Sequence, residues 1–316
     1  MRVWYSLLVP VIGSFSRAHS FSLSSRSSLW RCGAARGPRQ GCGFLNMSSG
    51  DGDGMSAIVD TIVGGGRIGS LLADVSGPSA VMVGRSDAIP GNVSGPIFVC
   101  TRNDALESVF DRTPESRRCD LVFLQNGYLD DFFSQKGLEG SSHALVYFAV
   151  AKKGDAPIDG KTAVNPEGLT AVTGKWAGRF KQLLDKAGLA CNVLDADAFR
   201  AAYFEKLIWI CAYMLVGAKN GGVTVGEVQE KYTKEVTDLV NELAKAVSEK
   251  EGVTFNPGMV ERLAAYTMSV AHFPTAVKEL PWRNGFFQQL SETAAKEGRG
   301  DPCPLHSEWL EGVLKK

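Results

Sequence analysis

The alternation of apolar and polar positions divides the chain into stretches of different character. From about Ser56 to Asp195, short β-branched runs are separated by glycine and polar turns: AIVDTIV, SAVMVG, PIFVC, DLVFLQNG and ALVYFAVA. The helix-like WAGRFKQLLDKAG and the strand-like CNVLD close this region. Runs of this length without clean alternation predict strands buried on both faces, as in a parallel sheet covered by helices. From Ala196 onward the strand signal disappears. The stretch EVQEKYTKEVTDLVNELAKAVSEKEG places Val228, Val236, Leu239, Val240, Leu243 and Val247 along one side and predicts one long amphipathic helix stopped by Gly252. Further helices are predicted at 258–272, 278–297 and 306–315. The pattern gives an α/β domain over 56–195, an all-α domain over 196–316, a Gly/Asp-rich linker at 51–55 and a separate segment at 1–50.

One helical stretch departs from amphipathic patterning. In FEKLIWICAYMLVGAKN, Phe204 to Asn220, Lys206 is followed by twelve apolar or small residues. That run is shorter than the roughly 20 residues needed to cross a bilayer, so it predicts a core helix. A lysine at its head either snorkels to water along an apolar stem or faces a cleft.

Charge changes the reading of the N-terminus. Lysine plus arginine and aspartate plus glutamate balance at 34 each, but residues 1–50 hold six arginines and no acid. The remainder is therefore net acidic and carries no electrostatic footprint for nucleic acid. The apolar VWYSLLVPVIG followed by the Ser/Arg-rich SRAHSFSLSSRSSLWRCGAARGPRQG resembles the two-part presequences of plastids with extra membranes. A mitochondrial or plain chloroplast transit peptide and an untargeted tail are the alternatives. The seven cysteines form no C-x-x-C pair and the four histidines show no ligand spacing, so neither a disulfide scaffold nor a metal is expected.

The strongest motif is TIVGGGRIGSLLADV. Gly64, Gly66 and Gly69 stand in G-x-G-x-x-G register after a strand and at a helix start, with Gly65, Arg67 and Ile68 between them. Glycines there allow a tight turn, approach to a pyrophosphate and close helix–strand packing, while the helix N-terminus favours the anion. In this context the motif predicts a Rossmann-type domain that binds a dinucleotide. The next strand ends at Arg85 and Ser86, where an acid would meet the ribose 2′-hydroxyl of NAD. A guanidinium suits a 2′-phosphate and favours NADPH; the alternative is a solvated strand-end arginine.

Three further stretches, FLQNGY, EKLIWICAYMLVGA and KELPWRNGFF, follow the glycine loop in an order that resembles the ketopantoate reductase family. The resemblance spans about residues 57–300 and implies a 6-phosphogluconate-dehydrogenase-like two-domain build, NADPH as cofactor and a small-molecule substrate. The family's reaction is the reduction of 2-dehydropantoate to pantoate in pantothenate biosynthesis. By the same resemblance Lys206 falls on the proton donor and Glu279 on a carboxylate at the cofactor end of the site. Asn126 falls on an anchor for cofactor and substrate, Arg102 near the cofactor phosphates, and Ala151 beside the nicotinamide. Thr267 and Asn284 fall on substrate-binding positions. A membrane is not implied for the mature form, and a homodimer is left open.

The chemistry agrees with the lysine assignment. Reducing a 2-oxo acid needs a proton for the carbonyl oxygen, and a lysine part-buried among apolar side chains falls from its usual ~10.4 toward neutrality. The alternative for Glu279 is an exposed acid favoured by a helix start. The chain departs from the family one and two turns after the lysine, where Ile210 and Met214 replace asparagines. That points to a 2-oxo acid or related carbonyl less polar than ketopantoate, or to a non-catalytic NADP-binding protein. An imine- or opine-forming dehydrogenase is a third reading. Only ten residues link Arg85 to PIFVC, which predicts a trimmed sheet.

Overall fold

The computed structural model describes residues 58–315. The expected presequence and linker lie outside the described residues. Strands β1 (Thr61–Val63), β2 (Val81–Val83), β3 (Ile97–Val99), β4 (Leu121–Phe123), β5 (Ser142–Leu145), β6 (Ala171–Thr173) and β7 (Asn192–Val193) form one sheet in the order β2-β1-β3-β4-β5-β6-β7. Helices α1 (Arg67–Ser76), α2 (Leu106–Arg112), α3 (Asp130–Lys136) and α4 (Ala177–Lys186) connect them.

Register explains why these strands lack sequence alternation. In-register Ile62, Phe98 and Val122 point to one face, where they pack with Leu72 of α1 and Phe180, Leu183 and Leu184 of α4. Their neighbours Val63, Val99 and Phe123 point to the other, against Val109 and Phe110 of α2 and Phe132 of α3. With both faces buried, these two successive positions on each of β1, β3 and β4 are all apolar. Removing each such side chain from water contributes roughly 1.5–3 kcal/mol before entropy is counted.

Two sheet features differ from the simple pattern. The parallel expectation applies to β1 through β5, whereas β6 runs antiparallel to β5 and parallel to β7. The pattern missed β6 because its apolar pair, Ala171 and Val172, is flanked by Thr170 and Thr173 and makes no apolar run like those of β1 to β4. The trimmed sheet is present: β2 is the outermost strand on its side, and Met82 on it is exposed.

The helical region contains α5 (Ala196–Lys219), α6 (Val225–Lys231), α7 (Thr233–Glu251), α8 (Met259–Ser269), α9 (Asn284–Lys296) and α10 (Pro304–Leu314). Helix α5 starts at Asp195, whose carboxylate accepts from the Ala198 N–H at 2.8 Å. By length and composition this 24-residue helix could cross a membrane, yet 78% of its apolar window is buried inside the protein, as a core helix should be.

The single long helix expected from Glu227 is broken at Tyr232 into α6 and α7. The Thr233 hydroxyl donates to the Gln229 carbonyl, competing with the backbone ladder at that turn. Gly252 ends α7 in the left-handed conformation as expected. The helix expected over 278–297 also divides. Pro281 sits in a 3-10 turn, Leu280–Trp282, and α9 begins only after Arg283, because proline lacks the N–H that a continuous helix would use.

The glycine loop is sterically exacting. A Cβ on Gly69 would lie 1.9 Å from the Gly64 carbonyl oxygen. Gly69→Ala is expected to destabilise the protein by about 3 kcal/mol, read as a lower urea midpoint at unchanged slope.

Candidate active site

A cavity of about 600 Å³ opens at the C-terminal ends of β1, β3, β4 and β5, under α5. This is where the strand order reverses, the usual ligand crevice of open α/β sheets. Arg67 and Ile68 from α1, Thr101 after β3, Asn126 after β4 and Val150 and Ala151 after β5 line one side. Lys206, Trp209, Ile210 and Met214 from α5 line the other, with Tyr266, His272, Phe273 and Arg283. Among the described residues lining it, Arg67, Lys206 and Arg283 are cations and none is an acid. The cavity therefore favours an anion.

Lys206 is only 4% exposed. Its ammonium donates to the Val146 carbonyl at 2.7 Å and stands 3.7 Å from the centre of the Tyr147 ring. Desolvation first, and the positive charge of Arg283 second, lower its pKa to about 7. Ile210 and Met214 follow on the same face of α5, so the wall beside the lysine is apolar.

Two of the family-like segments meet here. The Tyr128 N–H donates to the Trp282 carbonyl at 2.6 Å, and Gly127, at φ +119°, leaves room for that carbonyl where a Cβ would lie 2.3 Å away. The Asn126 carbonyl accepts from the Asn103 side chain at 2.9 Å. On the other side of this turn Glu279 has φ +48°, a left-handed conformation that costs a non-glycine residue of order 1 kcal/mol or more. Its carboxylate accepts from Arg283 Nη2 at 2.5 Å. Glu279 is not among the cavity-lining residues; Arg283 is.

The other candidate residues divide clearly. Arg67 spans from the glycine loop to the Val150 and Ala151 carbonyls, at 3.0 and 3.3 Å. Arg85 is exposed at the tip of the turn after β2, where Asp87 accepts from the Gly84 N–H at 2.7 Å. Arg102 is exposed and pairs with Asp104, which together with the more distant Glu279 raises its pKa. Neither arginine lines the cavity.

Thr267 and Asn284 do not sit as substrate-binding groups would. The Thr267 hydroxyl is buried, donating to the Leu263 carbonyl at 2.7 Å and accepting from the Trp209 indole at 2.8 Å. Asn284 is buried with its Oδ1 3.0 Å from His306 Nε2, in a core where burial pushes that histidine down to about 4. Both side chains are engaged in packing because the apolar wall on α5 and the α9–α10 contact enclose them. Sequence reasoning missed Arg283 and Tyr147. The available signals were the lone charge in LPWRNGFF and a tyrosine within LVYFAV.

The structure tests whether a dinucleotide fits. No side chain caps α1, and a Cβ on Gly66 would meet nothing within 4 Å, so the helix start faces open space. The Thr101 hydroxyl, at the same strand ends, is buried without a hydrogen-bond partner. Uncapped N–H groups beside open space form an anion cradle, and the residues present fit a dinucleotide phosphate.

Fold and cavity together define a Rossmann-like α/β region followed by an all-helical region, with the cavity between the strand ends and α5. The fold is that of the ketopantoate reductases, as the resemblance implied. A dimeric ketopantoate reductase from Staphylococcus aureus matches with a TM-score of 0.53 at 16% identity, covering 82% of this chain and 99% of that one. A ketopantoate reductase from Ralstonia eutropha gives 0.56 at 17% identity over 82% and 99%. A D-mandelate dehydrogenase with NADH and anilino(oxo)acetate gives 0.57 at 15% identity over 81% and 98%. No protein-family model and no curated protein matches the chain.

The engaged hydroxyl of Thr267 yields a test. Thr267→Val leaves the Trp209 N–H buried and unpaired and should cost about 1–3 kcal/mol in denaturant unfolding. Substrate KM should stay within about twofold, whereas a carboxylate-binding role would raise KM far more.

Proposed function

We propose that this chain is a nicotinamide-dependent reductase of 2-oxo acids, with Lys206 as the proton donor. The observation that carries the reading is a buried lysine titrating at about 7 in an acid-free cavity at the switch point of a Rossmann-like sheet. The folds it matches support it, being those of ketopantoate reductases and a D-mandelate dehydrogenase.

The α1 N-terminus and Gly64 to Gly69 would hold the dinucleotide phosphates. Thr101, Asn126 and the Val150–Ala151 segment would flank its reacting end. When bound, a reduced nicotinamide supplies a hydride to a carbonyl carbon. The protein's own part is acid catalysis and charge placement. Lys206 donates a proton to the carbonyl oxygen, and its ammonium stands where negative charge develops, beside the apolar wall of Ile210 and Met214. Its bond to Val146 and the Tyr147 ring fix the ammonium at the cavity wall, so little reorganisation is needed. Glu279 acts through Arg283, which it holds and which in turn lowers the lysine's pKa.

NADPH is the proposed coenzyme, because Arg85 is exposed just beyond β2 and pairs with no acid among the described residues that would compete with a 2′-phosphate. A homodimer is proposed by likeness to the dimeric Staphylococcus aureus protein, and light scattering that finds only monomer would refute it.

Because protonated Lys206 is the acid, kcat/KM for reduction should be highest below its pKa and fall as pH rises through about 7. Lys206→Met should lower kcat by roughly 10²- to 10⁴-fold, followed by NADPH absorbance across a panel of 2-oxo acids. Tight NADPH binding without turnover of any oxo acid would sink the reductase reading in favour of a non-catalytic NADP-binding protein. Arg85→Asp should raise KM for NADPH more than for NADH by at least tenfold, and equal changes for both would reject the 2′-phosphate contact.

A further inference from the structure

Every polar group that the family resemblance assigns to the substrate on the helical side, apart from Lys206, is absent or engaged elsewhere. Ile210 and Met214 offer no hydrogen bond. The Thr267 hydroxyl and the Trp209 indole N–H satisfy each other, and Asn284 is held against His306. An anionic substrate entering this cavity therefore needs a different partner. The second cation on the helical side of the lining is Arg283.

The turn that carries Arg283 is built to aim it. Glu279 takes a left-handed backbone conformation, Pro281 prevents a helix from running through, and the Trp282 carbonyl is fixed by the Tyr128 N–H. Glu279 accepts from Nη2, while Nε is buried with no hydrogen-bond partner among the described residues. A guanidinium with five donors in a fixed fork is thus only partly satisfied by the protein, beside a cavity with no acid lining it. A carboxylate is the group that matches this fork.

The rest of the wall fixes the other end of the ligand. Tyr147, Tyr266 and Trp209 form an edge-to-face stack, with centroids 4.7 and 4.9 Å apart. Tyr266, Trp209, Ile210, Met214 and Phe273 line the cavity. A substrate hydroxyl lying against Ile210, Met214 or Phe273 would lose its water without gaining a partner, whereas an aromatic ring would replace water at an apolar surface.

Resting on the oxo-acid reading above, we propose that Arg283 anchors the substrate carboxylate and that the substrate is a 2-oxo acid with a bulky apolar, aromatic side group. Lys206 then meets the carbonyl oxygen while the side group lies on the Trp209–Tyr266 wall.

The test uses the full chain loaded with NADPH, and two readouts. Phenylpyruvate should exceed ketopantoate in kcat/KM by roughly 10- to 100-fold. In calorimetry with the oxidised coenzyme bound, anilino(oxo)acetate should bind at least roughly 30-fold more tightly than its uncharged methyl ester. Arg283→Met should bring the acid down to the level of the ester while leaving ester and coenzyme binding unchanged, and Arg283→Lys should fall between. Equal binding of acid and ester by the wild-type protein, an Arg283→Met protein that binds the acid as before, or a preference for ketopantoate would overturn the proposal. The wild-type comparison and Arg283→Lys keep it falsifiable if Arg283→Met does not fold. Anilino(oxo)acetate bound through Arg283 with no oxo acid reduced would refute the reductase reading and leave the anchor standing. Reduction with KM unchanged in Arg283→Met would do the reverse.

Discussion

The ammonium of Lys206, placed inside an apolar helix, is the constraint around which the cavity is built. A charge removed from water costs several kcal/mol unless it finds partners, and here the partners are a backbone carbonyl and an aromatic face rather than a carboxylate. Both come from the segment just after β5, so the lysine fastens the central helix to the end of the sheet. A carboxylate partner would have kept the lysine permanently charged. Neutral partners, burial and the nearby Arg283 instead leave it poised near neutrality.

The same economy applies to the turn at residues 279–283. Its left-handed glutamate stores strain, and the ion pair with Arg283 together with the hydrogen bond from Tyr128 offsets it. What the strain secures is the placement of one guanidinium beside another cation without a counter-charge in the cavity. Such an arrangement is unfavourable on its own and becomes favourable when an anion arrives.

Much of this was legible in the sequence. The glycine loop, the strand runs and the helical second half each have a local signature, and the order of the short motifs gave the fold. Lys206, Ile210 and Met214 share a face because helical spacing requires it. The remainder depended on contacts between distant segments. Nothing local distinguishes a threonine that faces a cleft from one that accepts an indole N–H, and Thr267 belongs to the second kind. The 3-10 turn that carries Arg283 forms against Tyr128, far away in sequence, so neither its break nor its direction could be read from KELPWRNGFF. The antiparallel β6 and the division at Tyr232 escaped for the opposite reason: an Ala-Val pair flanked by threonines and a single competing hydroxyl leave too little pattern.

The hydrogen bond from Tyr128 to Trp282 has a mechanical consequence. It joins the end of β4 to the start of α9 at one margin of the cavity, through backbone atoms and with no side chain able to swing aside. That margin is tied main chain to main chain, so no side-chain truncation on either segment removes the tie directly, whereas the contacts from Arg67 to the Val150 and Ala151 carbonyls hang on a single side chain.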